Sequence, residues 1–179
     1  MCVRAVLLAS MLVVFVGPAR AENPNQAFNG RIIMSAKRFP QQAKSPSAYT
    51  AAIRKLSQAN FYEAKDTHNW TIYFAGFLKA PLNDVEYQIK LYELTGKSQQ
   101  MLVSFDQFTD ERGEKTIISK MTLDKKQVGV NKEILMTMES KGHILASGRF
   151  KILGEGEHYS GKVDFSEDDA NGKKTDDDN

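Results

Sequence analysis

The stretch WTIYFAGFL, from Trp70 to Leu78, is apolar at almost every position. Read with a period of two, Trp70, Ile72, Phe74 and Leu78 fall on one side and Tyr73, Ala75 and Phe77 on the other. That is the signature of a central strand covered on both faces. Pro81 and the polar pair Asn83-Asp84 end the run. In VEYQIKLYEL, Val85, Tyr87, Ile89 and Leu91 then alternate with Glu86, Gln88 and Lys90, giving one dry and one wet face. MLVSF, TIISKMTL, EILMTME, HILASGRFKIL and YSGKVDF are further strand candidates, separated by Gly, Asn, Asp or Lys clusters. Lys141-Gly142 reads as a hairpin turn, because glycine accepts the positive φ that tight hairpins demand.

One segment has the other period. In SPSAYTAAIRKLSQ, Ser45 suits an N-cap, Pro46 the first helical position, and Tyr49, Ile53 and Leu56 share one face, which predicts a helix over 46–58 packed against the body. GRIIMSAKRF before it reads as a strand ended by Pro40. Many short alternating strands with turns between them favour an antiparallel, immunoglobulin-like β-sandwich of about seven to eight strands, with one helix near the N-terminus. A closed barrel stays open at this point, since closure depends on pairing that periodicity does not reveal.

The ends carry different information. Arg4, the run AVLLASMLVVFVG and the small residues Ala19-Arg20-Ala21 match a secretory signal peptide over 1–21, cleaved before Glu22. The apolar run is shorter than the roughly 20 residues of a membrane helix, so no transmembrane segment is expected after cleavage. Cys2, the only cysteine, falls in the leader, leaving no disulfide and no thiolate ligand or nucleophile in the mature chain. Removing Arg4 and Arg20 brings the 24 basic residues to 22, equal to the 22 acids. That balance gives no concentrated basic face of the kind nucleic acid requires. Residues 22–30 read as a flexible lead-in, 31–165 as the single domain, and 166–179 as a disordered acidic tail.

Apparent motifs dissolve on inspection. Gly156 to Lys162 fits G-x-x-x-x-G-K, but Val163 stands where Ser or Thr should hold magnesium, and Gly161, Val163 and Phe165 alternate as strand rather than open a helix. EDDANGKKTDDD places Glu167, Asp169, Asn171 and Asp178 at calcium-ligand positions with Gly172 sixth, yet no helix pair flanks it. His68, His143 and His158 show no close metal-ligand spacing, so no metal is assigned. There is no G-x-S-x-G elbow around Ser147 or Ser160. Asp110-Glu111 lies in a polar turn that offers no burial to raise a carboxyl pKa. Asn69-Trp70-Thr71 is a glycosylation sequon at the start of an apolar strand, and is read as incidental. Lys120, Lys125, Lys126 and Lys132 form the densest basic patch, diluted by Asp124 and Glu133.

FLKAPLNDVEYQIKLYE and YSGKVDFSEDDA resemble segments of a group of uncharacterised secreted bacterial proteins with a C-terminal immunoglobulin-like sandwich region, over roughly residues 70 to 170. The resemblance implies bacterial export and a sandwich, and assigns no activity. The expectation is therefore an exported binding or structural module without catalytic residues, cofactor or metal. Its partner would be an unknown protein or cell-envelope component, met through edge strands or through the loops at 106–115 and 124–132. A small exported hydrolase, its site assembled only in three dimensions, and a barrel holding an apolar ligand are the alternatives.

Overall fold

A computed structural model describes residues 23–94 and 98–155. The leader, the strand candidate Tyr159–Phe165, Gly156–Lys162 and the acidic tail lie outside them. The two-sided stretch forms β3 (Asn69–Phe77). Its inner side chains Trp70, Ile72 and Phe74 enter the main core, while Ala75 and Phe77 lie under a helix on the outer face. That helix, α2 (Pro46–Leu56), starts where the sequence predicts, with the Ser45 hydroxyl accepting from Ala48 N at 3.2 Å. Its stripe of Tyr49, Ile53 and Leu56 packs on Phe77, Ala75, Tyr73 and Ile118. Burying such a stripe supplies most of the stability of so short a helix.

The remaining strands are β1 (Arg31–Ser35), β2 (Asn60–Glu63), β4 (Glu86–Glu93), β5 (Gln100–Phe108), β6 (Thr116–Asp124), β7 (Lys132–Ser140) and β8 (His143–Glu155). The fold is mainly β, as expected, but the two-sheet antiparallel sandwich is not what these strands build. All eight belong to one hydrogen-bonded sheet in the order β5-β4-β7-β8-β1-β3-β6, with β2 also on β8. The reason is the length of β8, 13 residues. One edge of β8 pairs antiparallel with β7. The other edge meets β1 at a parallel bridge, Arg31 opposite Ser147, and then runs parallel with β2 from Asn60/Lys151 to Glu63/Glu155.

Gly148 makes the change of partner possible. A β-carbon built there would run into the backbone carbonyl of Ile32, so β1 can cross β8 only where no side chain stands between them. Past this crossing the sheet curls into a half-barrel around Ile32, Met34, Trp70, Phe74, Ile89, Leu91, Met136 and Phe150, each at most 3 % exposed. Trp70 Nε1 donates to Leu153 O at 3.0 Å, tying β3 to β8 inside the curl. At one end the connection after β5 is held by Leu78 N donating to Lys115 O and Leu82 N to Glu114 O. At the other, the short helix α3 (Lys125–Val128), which follows β6, contacts β5. The edges of β5 and β6 do not pair with each other.

The expected flexible lead-in is folded onto the body. Asn23 caps the short helix α1 (Pro24–Ala27), Phe28 is buried with its ring 5.0 Å from that of Phe77, and the Arg54 guanidinium lies over Phe28. The polar, turn-rich composition that suggests mobility conceals one aromatic anchor. The Lys141-Gly142 turn forms as read, both residues at positive φ between Ser140 and His143.

Gly148→Ala should lower stability by about 2–3 kcal/mol, because the new methyl opposes backbone rather than a movable side chain. Gly76→Ala, which meets only the thioether end of Met138, should cost less. Urea midpoints of the two variants check the order.

Candidate functional site

NFYE places Phe61 and Glu63 on the same face of β2, and both are buried. An acid thus occupies a position that the alternation reserves for the core. A register shift between Tyr62 and Glu63 sets Glu63 directly opposite Glu155 on β8. Like charges facing across a ladder repel, so this pair calls for a cation or a hydrogen-bond donor beside it. Two elements supply these. Lys125, the first residue of α3, places Nζ 3.0 Å from both oxygens of Glu63. The turn after β2 brings round His68, whose Nδ1 lies 3.0 Å from Glu63 Oε1 and 3.7 Å from Glu155 Oε1.

His68 has φ 50, a left-handed conformation that histidine adopts more readily than bulky residues. Its N–H is tied back to Ala64 O at 2.9 Å, while Ala64 N donates to Asn69 O at 3.0 Å. The turn is therefore pinned at both ends. The Glu63 side chain is 1 % exposed, whereas those of His68 and Glu155 are 60 % and 48 % exposed. Glu63 is covered by its charged neighbours near the surface, and the other two groups open to solvent. The Lys125 hydrogen bond, helped by His68 and opposed by burial, holds the Glu63 carboxyl below its ordinary 4.5.

A second charged group stands on the outer face of the sheet. Lys90 on β4 donates to Glu139 Oε2 on β7 at 2.6 Å, and Thr137 Oγ1 donates to Glu139 Oε1 at 2.8 Å. Burial pushes the Glu139 carboxyl up, but the two hydrogen bonds and the ammonium charge outweigh it, and the net direction is down.

The other residues singled out in the sequence do not converge. His143 opens β8 at the end away from Glu155 and is exposed. His158 and Ser160 lie outside the described residues. Asp110 and Glu111 are exposed in the connection after β5. The lysine patch is dispersed, because Lys125 is engaged by Glu63 and Lys132 by Glu93 at 2.6 Å. The segment 106–115 begins inside β5, and 124–132 contains α3 rather than an open loop. Two grooves open on the outside of the sheet. One of about 680 Å³ is bordered by Asn23, Gln41, Gln42, Tyr49 and Thr116. Another of about 720 Å³ is bordered by Arg31, Ser57, Gln58, Ser147 and Arg149. Neither is lined by a carboxylate or an imidazole, and the imidazole that meets carboxylates lies elsewhere, at Glu63, His68 and Glu155.

No protein family and no curated protein matches this chain. The cluster is therefore interpreted from its own geometry: two carboxylates, an imidazole and an ammonium gathered from β2, the turn after it, α3 and the end of β8. The sequence holds one clue to it, the charged residue continuing the inward alternation of Phe61. The partners Lys125 and Glu155, 62 and 92 positions after Glu63, leave no local trace.

Glu63 and Glu139 release their protons more readily in the folded chain than in the unfolded one. The unfolded state thus binds more protons as pH falls, and the stabilisation, complete above the unfolded carboxyl range, is lost as pH drops through the lower native values. The denaturation midpoint should be flat from about pH 7 to about pH 5 and fall below about pH 4.5. Lys90→Met should lower the midpoint at neutral pH. Its deficit should narrow as pH falls through the native range of Glu139, because a protonated Glu139 no longer needs the ammonium.

Proposed function

We propose that this chain is an exported, non-catalytic binding module of a bacterial envelope, which takes an extended polypeptide segment along the open edge of β5. One observation carries the reading. β5 is an edge strand of nine residues, QMLVSFDQF, with Asp106 its only charge and neither Lys nor Pro in it. Soluble proteins usually blunt such an edge with charge, proline or brevity, because its free N–H and C=O groups template another strand. Met101 and Phe108 add apolar side chains at 55 % and 70 % exposure. Main-chain pairing would supply affinity and these side chains selectivity, the mode known as strand addition. The opposite edge, β6, carries Lys120 and Asp124.

Export rests on the signal-like leader and on the resemblance to secreted bacterial proteins. Immunoglobulin-like sandwiches commonly bind through edges and end loops, and the proposal keeps that mode while the architecture is one curled sheet. No helix among the described residues is long and apolar enough to cross a membrane. The hydrolase reading has one observation in its favour, an imidazole beside a buried carboxylate at His68 and Glu63. The side chains within reach of that imidazole are acids, not a hydroxyl or thiol nucleophile, among the described residues.

Ser104→Cys in a Cys2→Ser background gives a single attachment point for a photo-cross-linker on the outer edge. We expect it to join the chain to a protein of the exported fraction, at a site mapping to β5. Met101→Lys with Phe108→Lys should abolish the product while changing stability by no more than about 0.5 kcal/mol each. Capture that survives the lysine pair, or turnover of a substrate lost with His68→Ala, would sink the binding-module reading.

A further inference from the structure

The cluster around Glu63 is built around a deficit of positive charge. Parallel pairing of β2 with β8 holds Glu63 opposite Glu155, and among the described residues Lys125 is the one ammonium that bonds to Glu63. With its ring proton on Nε2, the imidazole between the two acids presents the Nδ1 lone pair to a cation. One ligand atom from each of Glu63, His68 and Glu155 lies within 4.8 Å of the others, and His68 Nδ1 is 3.0 Å from Glu63 Oε1 and 3.7 Å from Glu155 Oε1. Bond lengths of about 2.0–2.2 Å from zinc to nitrogen and carboxylate oxygen, in a tetrahedron, set donors about 3.3 Å apart. The donors stand near that spacing before any ion arrives. The exposed side chains of His68 and Glu155 can complete it by small rotations, while Glu63 is fixed.

We propose that Glu63, His68 and Glu155 form a binding site for a divalent transition-metal ion of the zinc type. Binding places the Nδ1 lone pair of His68 on the metal and leaves the ring proton on Nε2, so a neutral imidazole changes tautomer without losing its proton. Glu63 ligates through Oε1, and Lys125 keeps Oε2, acting as the outer partner that holds a ligating carboxylate in position. The ion cancels the repulsion between the facing acids. One nitrogen and two carboxylate oxygens suit zinc better than calcium, which takes six to eight oxygen ligands and gains nothing from an imidazole. The exposure of His68 and Glu155 leaves a fourth position open to water or to a group of a partner, as in metal sites that retain an exchangeable ligand. The pinned turn at Ala64–Asn69 supplies the rigidity that keeps His68 aimed at the acids.

The test is calorimetric titration of zinc chloride into the full chain, expressed without a histidine tag and stripped with a chelator. One equivalent should bind. His68→Asn keeps a residue that tolerates the left-handed backbone and should weaken binding at least about tenfold, as should Glu155→Gln. Both are exposed positions, so circular dichroism should show the fold unchanged. No zinc binding, or binding that both variants retain because it resides at His158 or in the acidic tail, overturns the site. Calcium binding of equal strength at the same residues overturns the assignment of metal class.

Discussion

The backbone of β1 passes over β8 at Gly148, and the architecture follows from that crossing. Because no side chain intervenes, the Ile32 carbonyl can lie against the α-carbon of Gly148, and β1 leaves the edge of β8 after a single parallel bridge at Arg31. The vacated second half of that edge accepts β2. One long strand thus serves three others, and the sheet bends where its partner changes. The bend turns one face into an enclosed core and the other into a convex surface, part of which α2 covers. β3 lies beneath α2 and beside β1, which is why its sequence is apolar on both sides while β4 and β7 keep polar residues on their outer face.

Parallel pairing at the end of β8 also decides where charge accumulates. An antiparallel neighbour could have met β8 in another register, but β2 arrives with a shift that faces acid with acid. α3 and the turn holding His68 are positioned to answer that charge. At the other acid of low exposure, Glu139, the solution is simpler, with one lysine and one threonine satisfying both oxygens. No buried side-chain nitrogen or oxygen among the described residues lacks a hydrogen-bond partner. The two groups differ in openness, and only the cluster at Glu63 presents donors to solvent.

Much of the local structure was legible in the sequence. The period of two located β3 to β8 in outline, the Ser45-Pro46 cap located the start of α2, and Lys141-Gly142 located the hairpin. The pairing was not legible, because parallel contact of β2 with β8 depends on residues about ninety positions apart and the crossing at Gly148 on residues more than a hundred apart. Nothing local marks such contacts. An isolated glycine in LASGRF reads as a weak point in a strand, and only the structure shows the carbonyl that needs the space. Phe28 escaped for the opposite reason: a single aromatic residue in a polar segment has no periodicity, yet one anchored ring folds the whole lead-in. Of the site, only Glu63 left a trace, as a charge continuing the inward side of Phe61. The histidines show no metal-ligand spacing in the sequence, and donors drawn from three separate segments need show none.

β2 has one strand partner, and that partner is the last element described. During synthesis β2 emerges with its edges empty and must wait for β8 before it can pair, and β1 can complete only its side toward β3. Long-range pairing of this kind slows folding, since loop closure is paid before contacts return it. With the last described strand as the key to the first two, β1 and β2 stay open until β8 is made. For a protein proposed to be exported, that delay would be useful: it would keep this part of the polypeptide threadable until β8 has been made.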